Sequence, residues 1–302
     1  MLKNFVGTLV IFSIAALSGC SEQYNGERLF WKAQKVSAPI FKDPAKATPE
    51  QYAKGIDAYN KLITQLPGTE WSGRAQLSIG SLYEFQKKHE RAREKYRLVL
   101  QDYHRFSQLC MSARMAIAKS YEAQDQWDDA VKAYKDLAEY HPWTLLGLQS
   151  PLYIAAVYEK RKESSEALRA YEGAVSHYKK LILNAPSKEI EFQVKQYLAA
   201  AYQQLHRWQE AVSVLEELTN SKVKGIDKPF ALLNLGKIYQ KNLDNPEKAA
   251  AAFSRLINEF PKHPFVKVAQ YQMDQLKKPE TPPAQGGANT TSTPQGAAPG
   301  VR

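Results

Sequence analysis

An all-α fold, an α-solenoid of about six tandem antiparallel helix pairs plus a capping helix, is predicted by three features of this sequence. A five-residue frame, Leu/Ile–Gly/Ala–x–x–Tyr, occurs five times. Its copies end at Tyr83, Tyr121, Tyr158, Tyr202 and Tyr239, spaced 38, 37, 44 and 37 residues apart. A second half-frame follows each copy: Ala92, Ala130, Ala167 and Ala211 stand nine residues after the tyrosine, and Ala249 stands ten after. Four residues beyond each alanine comes a large apolar or aromatic residue, namely Tyr96, Tyr134, Tyr171, Leu215 and Phe253. Self-similarity at a period of this length marks a stack of supersecondary units rather than one globular core.

The spacings explain themselves physically. Residues four apart share one face of a helix. The small residue of each frame (Gly80, Ala118, Ala155, Ala199, Gly236) lets two antiparallel helices approach closely, and the tyrosine fills the space beside them. The second alanine lets the return helix pack, and the large residue after it is expected to plug the gap to the next unit. Pro142 and Pro261, eight residues further on, end their return helices because proline cannot extend the hydrogen-bond ladder.

Flanking segments complete the array. Tyr59 with Pro67 eight residues later matches a return helix, so 49–66 is expected to be the second helix of a first unit. Its partner is placed at 27–36, leaving a long loop at 37–48. In the fourth unit, counting the first irregular one, the pattern of Tyr171 starts again seven residues later, with Ala174 and Tyr178. Seven residues are two helical turns, so this return helix should be about two turns longer with its apolar face kept. Residues 264–278 read as the closing helix, with Val268, Tyr271 and Leu276 inward, because an array needs a cap on its last face.

These landmarks resemble the tetratricopeptide repeat family, whose unit is a helix–turn–helix of 34 residues with the same small, Tyr, Ala, aromatic and Pro positions. Here the unit is three or four residues longer, and the family's Trp is replaced by Gln76, Arg114, Pro151, Lys195 and Ala231. The resemblance implies binding of other proteins on a concave surface lined by first-helix positions. Those positions fall on Arg74, Ser81 and Glu84; Ser112, Lys119 and Glu122; Gln149 and Glu159; Gln193, Gln196 and Gln203; and Lys237 and Gln240. Glutamine both donates and accepts, which suits the backbone of an extended peptide.

The N-terminus carries a targeting signal. Lys3 precedes an uncharged run at 5–17, too short for the roughly 20 residues a transmembrane helix needs but suited to a secretory signal. Leu17-Ser18-Gly19-Cys20 resembles the lipobox of bacterial lipoproteins, which implies cleavage after Gly19 and acylation of Cys20. Residues 1–19 are then the signal peptide, 20–25 a lipidated tether, 26–278 the solenoid and 279–302 a Pro/Gly/Thr-rich tail expected to be disordered. Ser21, where an Asp would resemble an inner-membrane retention signal, points to the outer membrane, facing the periplasm.

Export excludes nucleic acid as the partner of a chain whose formal net charge is +10, or +9 once Lys3 is removed. Anionic headgroups and acidic protein surfaces are the alternatives. With Cys20 acylated, Cys110 is left unpaired as a small buried apolar residue, so no disulfide framework exists. The six histidines, His89, His104, His141, His177, His206 and His263, form no close ligand pair, and no phosphate loop or nucleophile elbow is present. No metal, cofactor or catalytic role is therefore expected. The expected function is that of a membrane-anchored scaffold for other envelope proteins. The BamD-like lipoproteins of outer-membrane protein assembly offer the nearest architectural resemblance. A peptidoglycan- or carbohydrate-binding module, served by Trp71, Trp127, Trp143 and Trp208, is the alternative.

Overall fold

A computed structural model describes residues 23–223 and 227–277. Every regular element among them is helical. The elements are α1 (23–42), a 3-10 turn at Pro44–Lys46, α2 (Pro49–Gln65), α3 (Glu70–Phe85), α4 (His89–Asp102), α5 (Ser107–Glu122), α6 (Trp127–Tyr140), α7 (Leu145–Lys160), α8 (Ser164–Leu183), α9 (Lys188–Gln204), α10 (Trp208–Asn220), α11 (Lys228–Lys241), α12 (Pro246–Glu259) and α13 (Phe265–Lys277). This is the tandem helix-pair α-solenoid of the sequence pattern. It divides into two compact units, one ending at Val214 and one beginning at Leu215. The lipobox with Cys20 and the tail at 279–302 lie outside the described residues.

In the first unit each helix from α2 to α9 packs on the next, and the first helices also touch one another, α3 on α5 and α7 on α9. In the second unit α11 packs on α12, α12 on α13, and α11 on α13. The frame residues form the contacts. Ala118, Ala155, Ala92, Ala130, Ala249, Tyr96, Tyr134, Tyr171 and Phe253 are all buried. The large residue of the return helix lies on the small residue of its own pair. A Cβ added to Gly80 would overlap the ring of Tyr96, and one added to Gly236 would overlap Phe253. That ring therefore closes its own unit, where the spacing had suggested a plug toward the next.

The turn between the helices of a pair repeats as closely as the frame. Lys87, Asp125, Lys162, His206 and Asp244 all have positive φ, between 46° and 64°. In all five copies the residue after the positive-φ position donates to the frame tyrosine's carbonyl: Lys88 to Tyr83, Gln126 to Tyr121, Glu163 to Tyr158, Arg207 to Tyr202 and Asn245 to Tyr239. These bonds satisfy helix-end carbonyls that would otherwise be orphaned. None of the five turn residues is glycine, so each turn stores a little backbone strain.

Two sequence expectations, for the first helix and for the last, are corrected. Helix α1 covers 23–42 rather than 27–36, and continues through Pro39, so the loop before α2 is short. Ser37 and Ile40, each fully buried, extend the inward face of Ala33, and the Ser37 hydroxyl lies 3.0 Å from the Tyr59 hydroxyl. That burial outweighs the one helical hydrogen bond proline removes. In α13 the residue turned inward is Ala269, while Val268 and Tyr271 are exposed. A closing helix hides only a narrow stripe, and here that stripe centres on the small residue. The long return helix is α8, with 20 residues against 14 in α4, α6 and α12, and Ala174 and Tyr178 are both buried.

Tyrosine–glutamate hydrogen bonds join helices both within pairs and between them. Tyr134 donates to Glu122 (2.9 Å), Tyr153 of the next pair donates to the other oxygen of Glu122 (2.6 Å), and Tyr171 donates to Glu159 (3.0 Å). In the second unit Tyr239 donates to Glu216 (2.6 Å). Burial holds the Tyr96, Tyr171 and Tyr239 hydroxyls protonated up to about 12, with the adjacent Glu84, Glu159 and Glu216 carboxylates adding to the shift.

Three outcomes follow for stability. Gly80→Ala should cost about 1–3 kcal/mol by overpacking against Tyr96, whereas Gly173→Ala, whose added Cβ meets nothing, should gain up to about 1 kcal/mol of helix propensity. Urea unfolding reads both. Glu159→Ala should cost about 1 kcal/mol, and Glu122→Ala about 2–3 kcal/mol because it anchors two hydroxyls. The raised tyrosine values make stability constant below pH about 10 and falling as pH climbs from about 10 to about 12, which a pH series of thermal melts detects.

Candidate binding surface

The side chains assigned to a groove occupy the first helices of successive pairs. In the first unit these are α3, α5, α7 and α9, started by side-chain caps from Thr69, Thr144 and Ser187 on α3, α7 and α9. Arg74, Ser112, Lys119, Gln149, Glu159 and Gln193 are exposed, and Ser81, Glu84, Glu122, Gln196 and Gln203 are half-buried. In the second unit α11, capped by Asp227, holds Lys237 and Gln240, both half-buried.

Their partners divide them into two kinds. Some are occupied within the fold. Arg74 pairs with Glu70 at 2.6 Å and its guanidinium lies over Trp71, 4.9 Å from the ring centre. Ser81 and Ser112 donate to the carbonyls of Leu77 and Gln108, four residues back. Glu84 lies 2.7 Å from His89 Nδ1, and Glu122 and Glu159 accept hydrogen bonds from tyrosine hydroxyls. Others are open. Lys119, Gln193, Gln196 and Gln203 make no side-chain hydrogen bond or ion pair among the described residues. Gln240 keeps a buried, unpartnered Oε1. A surface of fixed carboxylates beside unsatisfied amides and a lysine can hydrogen-bond a peptide backbone without rearranging its own framework.

A second feature was not singled out from sequence. A cleft of about 750 Å³ opens between α6, α7 and α8, floored by Val131, Ile154, Ala170 and Ala174. His177 lines it with its Nε2 buried and unpartnered, and burial, then the nearby Lys180, pushes the imidazole's pKa down. Pro151, which replaces the aromatic of the repeat pattern, lines the same cleft, as does Gly173. A glycine in mid-helix with no packing need was the available signal.

Among the described residues no three His, Cys, Asp or Glu side chains gather as metal ligands, and no helix is long and apolar enough to cross a membrane. Cys110 is buried and unpaired, its thiol pushed up by burial despite Arg114 nearby. The tryptophans offered for a carbohydrate site differ in setting: Trp127 is buried, while Trp71, Trp143 and Trp208 are half-buried.

The tetratricopeptide repeat family model matches residues 112–142 and 230–263. No curated protein matches the chain. Among solved structures, a tetratricopeptide protein of Thermus thermophilus is 15% identical, with a TM-score of 0.40, covering 68% of this chain and 98% of that one. The C-terminal part of a repeat-containing protein from Cytophaga hutchinsonii is 14% identical, with a TM-score of 0.46, covering 82% and 85%. YrrB, described as having an unusual peptide-binding site, is 16% identical, with a TM-score of 0.38, covering 72% and 99%. The chain is thus a tandem array of helix pairs, two stretches of which, 112–142 and 230–263, match the tetratricopeptide repeat.

Proposed function

We propose that this chain is a lipid-anchored scaffold of the bacterial cell envelope that holds other proteins on the outward side chains of its first helices. One observation carries the binding part of this reading. Side chains at several of the groove positions on two first helices, Lys119 on α5 and Gln193, Gln196 and Gln203 on α9, are left without side-chain partners among the described residues, while Glu122 and Glu159 are locked into the fold. The anchoring part rests on the short apolar run at 5–17 and on Leu17-Ser18-Gly19-Cys20, with acylation at Cys20 and residence in the outer membrane facing the periplasm. Outer-membrane protein assembly is the process with which lipobox, size and tandem repeats agree best.

A carbohydrate-binding role has one observation in its favour, the aromatic cleft formed by Tyr24, Phe30, Trp31 and Trp71. Purification of the native protein from gently solubilised envelopes, with mass spectrometry of what accompanies it, separates the readings. Stoichiometric recovery of an outer-membrane β-barrel assembly protein is the expected result. Secretin or wall-synthesis enzymes would overturn the assembly role and keep the scaffold, and wall fragments without any protein would overturn the scaffold. Lys119→Glu combined with Gln196→Glu should lower recovery of the partner at least about tenfold with an unchanged melting temperature, since these side chains hold nothing within the fold. Radiolabelled acyl chains should appear on the wild-type chain and be absent from Cys20→Ser.

A further inference from the structure

Helix α1 has an outward line that the packing of the array does not use. Tyr24, Arg28, Trp31 and Lys35 follow one another at intervals of four, three and four residues, which places them along one side of the helix. Gly26, Ala33, Ser37 and Ile40 on the opposite side are buried; Gly26 lies so close under Trp71 that an added Cβ would overlap the indole. On the outward line Tyr24 is 70% exposed and Trp31 53% exposed, values that a side chain with a packing role in the fold does not show. The ammonium of Lys35 sits 3.8 Å from the centre of the Trp31 ring. Lys32 and Lys42 are exposed on the same helix, so four cations stand there against the single carboxylate of Glu27. A cleft of about 510 Å³ runs beside the line, bordered by Tyr24, Phe30, Trp31 and Trp71 with Arg28 and Arg74.

We infer that this line of α1 lies on the phospholipid headgroup layer, so that the first repeat docks flat on the membrane and the anchored array has a fixed orientation. Amphipathic aromatic rings are the side chains that favour the depth of the headgroups, and lysine and arginine among them meet anionic lipid. The proposal rests on the lipid-anchored reading for its geometry. The start of α1 at residue 23 is three residue steps beyond Cys20, and a fully extended chain spans at most about 3.6 Å per residue. An acylated Cys20 thus keeps the start of α1 within roughly 11 Å of the bilayer surface, with Tyr24 in the first turn. A sugar ligand would also accept the aromatic cleft, but it gives no reason for four cations along the helix. Anionic lipid supplies that complementarity.

The test uses the full chain expressed in a lipoprotein-processing host and purified from its membranes, with acylation of Cys20 scored separately by intact mass. The protein is reconstituted into phosphatidylethanolamine–phosphatidylglycerol vesicles whose acyl chains carry bromine, and quenching of tryptophan fluorescence is read. Wild type should be quenched, and Trp31→Phe should lose more than about half of the quenched signal at an unchanged melting temperature. The double variant Arg28→Glu, Lys35→Glu, which leaves every tryptophan in place, should lower quenching in the phosphatidylglycerol vesicles to the level seen in phosphatidylcholine vesicles. An acylated protein whose tryptophans are quenched equally in wild type and Trp31→Phe, or not at all, overturns the proposal and leaves the anchor standing. An unacylated Cys20 removes the anchor, and co-sedimentation of that same chain with phosphatidylglycerol but not phosphatidylcholine vesicles, lost in Arg28→Glu, Lys35→Glu, still upholds the docking line. Retention on purified wall fragments that Trp31→Phe abolishes, with no quenching by bromolipid, overturns it in favour of a glycan.

Discussion

The seating of one return-helix side chain over one small residue of its partner helix is the contact on which the rest of the fold depends. Tyr96 over Gly80 and Phe253 over Gly236 leave no room for a single added carbon. With the helices held at that distance, Ala92 and Ala249 become fully buried, and the turn between them is confined to a left-handed residue. The same closeness brings the glutamate carboxylates within reach of the tyrosine hydroxyls. Glu122 then links α5, α6 and α7 through two bonds. Packing comes first in this hierarchy and hydrogen bonding follows, because the bonds join groups already brought together by burial of apolar surface.

This hierarchy also accounts for what the sequence made legible. A steric constraint leaves a compositional mark, since glycine or alanine stands at the crossing and a large apolar or aromatic side chain fills it. Five copies of that mark located the helix pairs, and the seven-residue offset from Tyr171 to Tyr178 located the longer α8. The turns left no comparable mark because lysine, histidine and aspartate there tolerate a positive φ that glycine would have advertised. The length of α1 was hidden by Pro39, whose local signal is outweighed by tertiary burial of Ser37 and Ile40. In α13 the phase was misjudged because Val268 and Tyr271 are more hydrophobic than Ala269, yet a closing helix buries the side that fits rather than the side that is greasiest.

The groove was legible only as positions. Counting from the frame tyrosine placed Arg74, Lys119 and Gln196 on first helices, but it could not distinguish Glu122, whose two oxygens are engaged, from Lys119, which holds nothing. That distinction depends on where Tyr134 and Tyr153 reach in three dimensions. The cleft at His177 escaped for a related reason, as its walls come from three helices and only Gly173 is odd when read alone.

The order of contacts bears on how such a chain is born. From α2 to α9, and from α11 to α13, each helix packs on its neighbour in sequence, and the further principal contacts reach only the next helix but one. A polypeptide delivered end first, from a ribosome or through a translocation channel, can close a pair as soon as one period of about 38 residues has emerged. No segment has to wait for a distant stretch still unmade, so little apolar surface stays bare during synthesis, and assembly can proceed without a long-lived open intermediate.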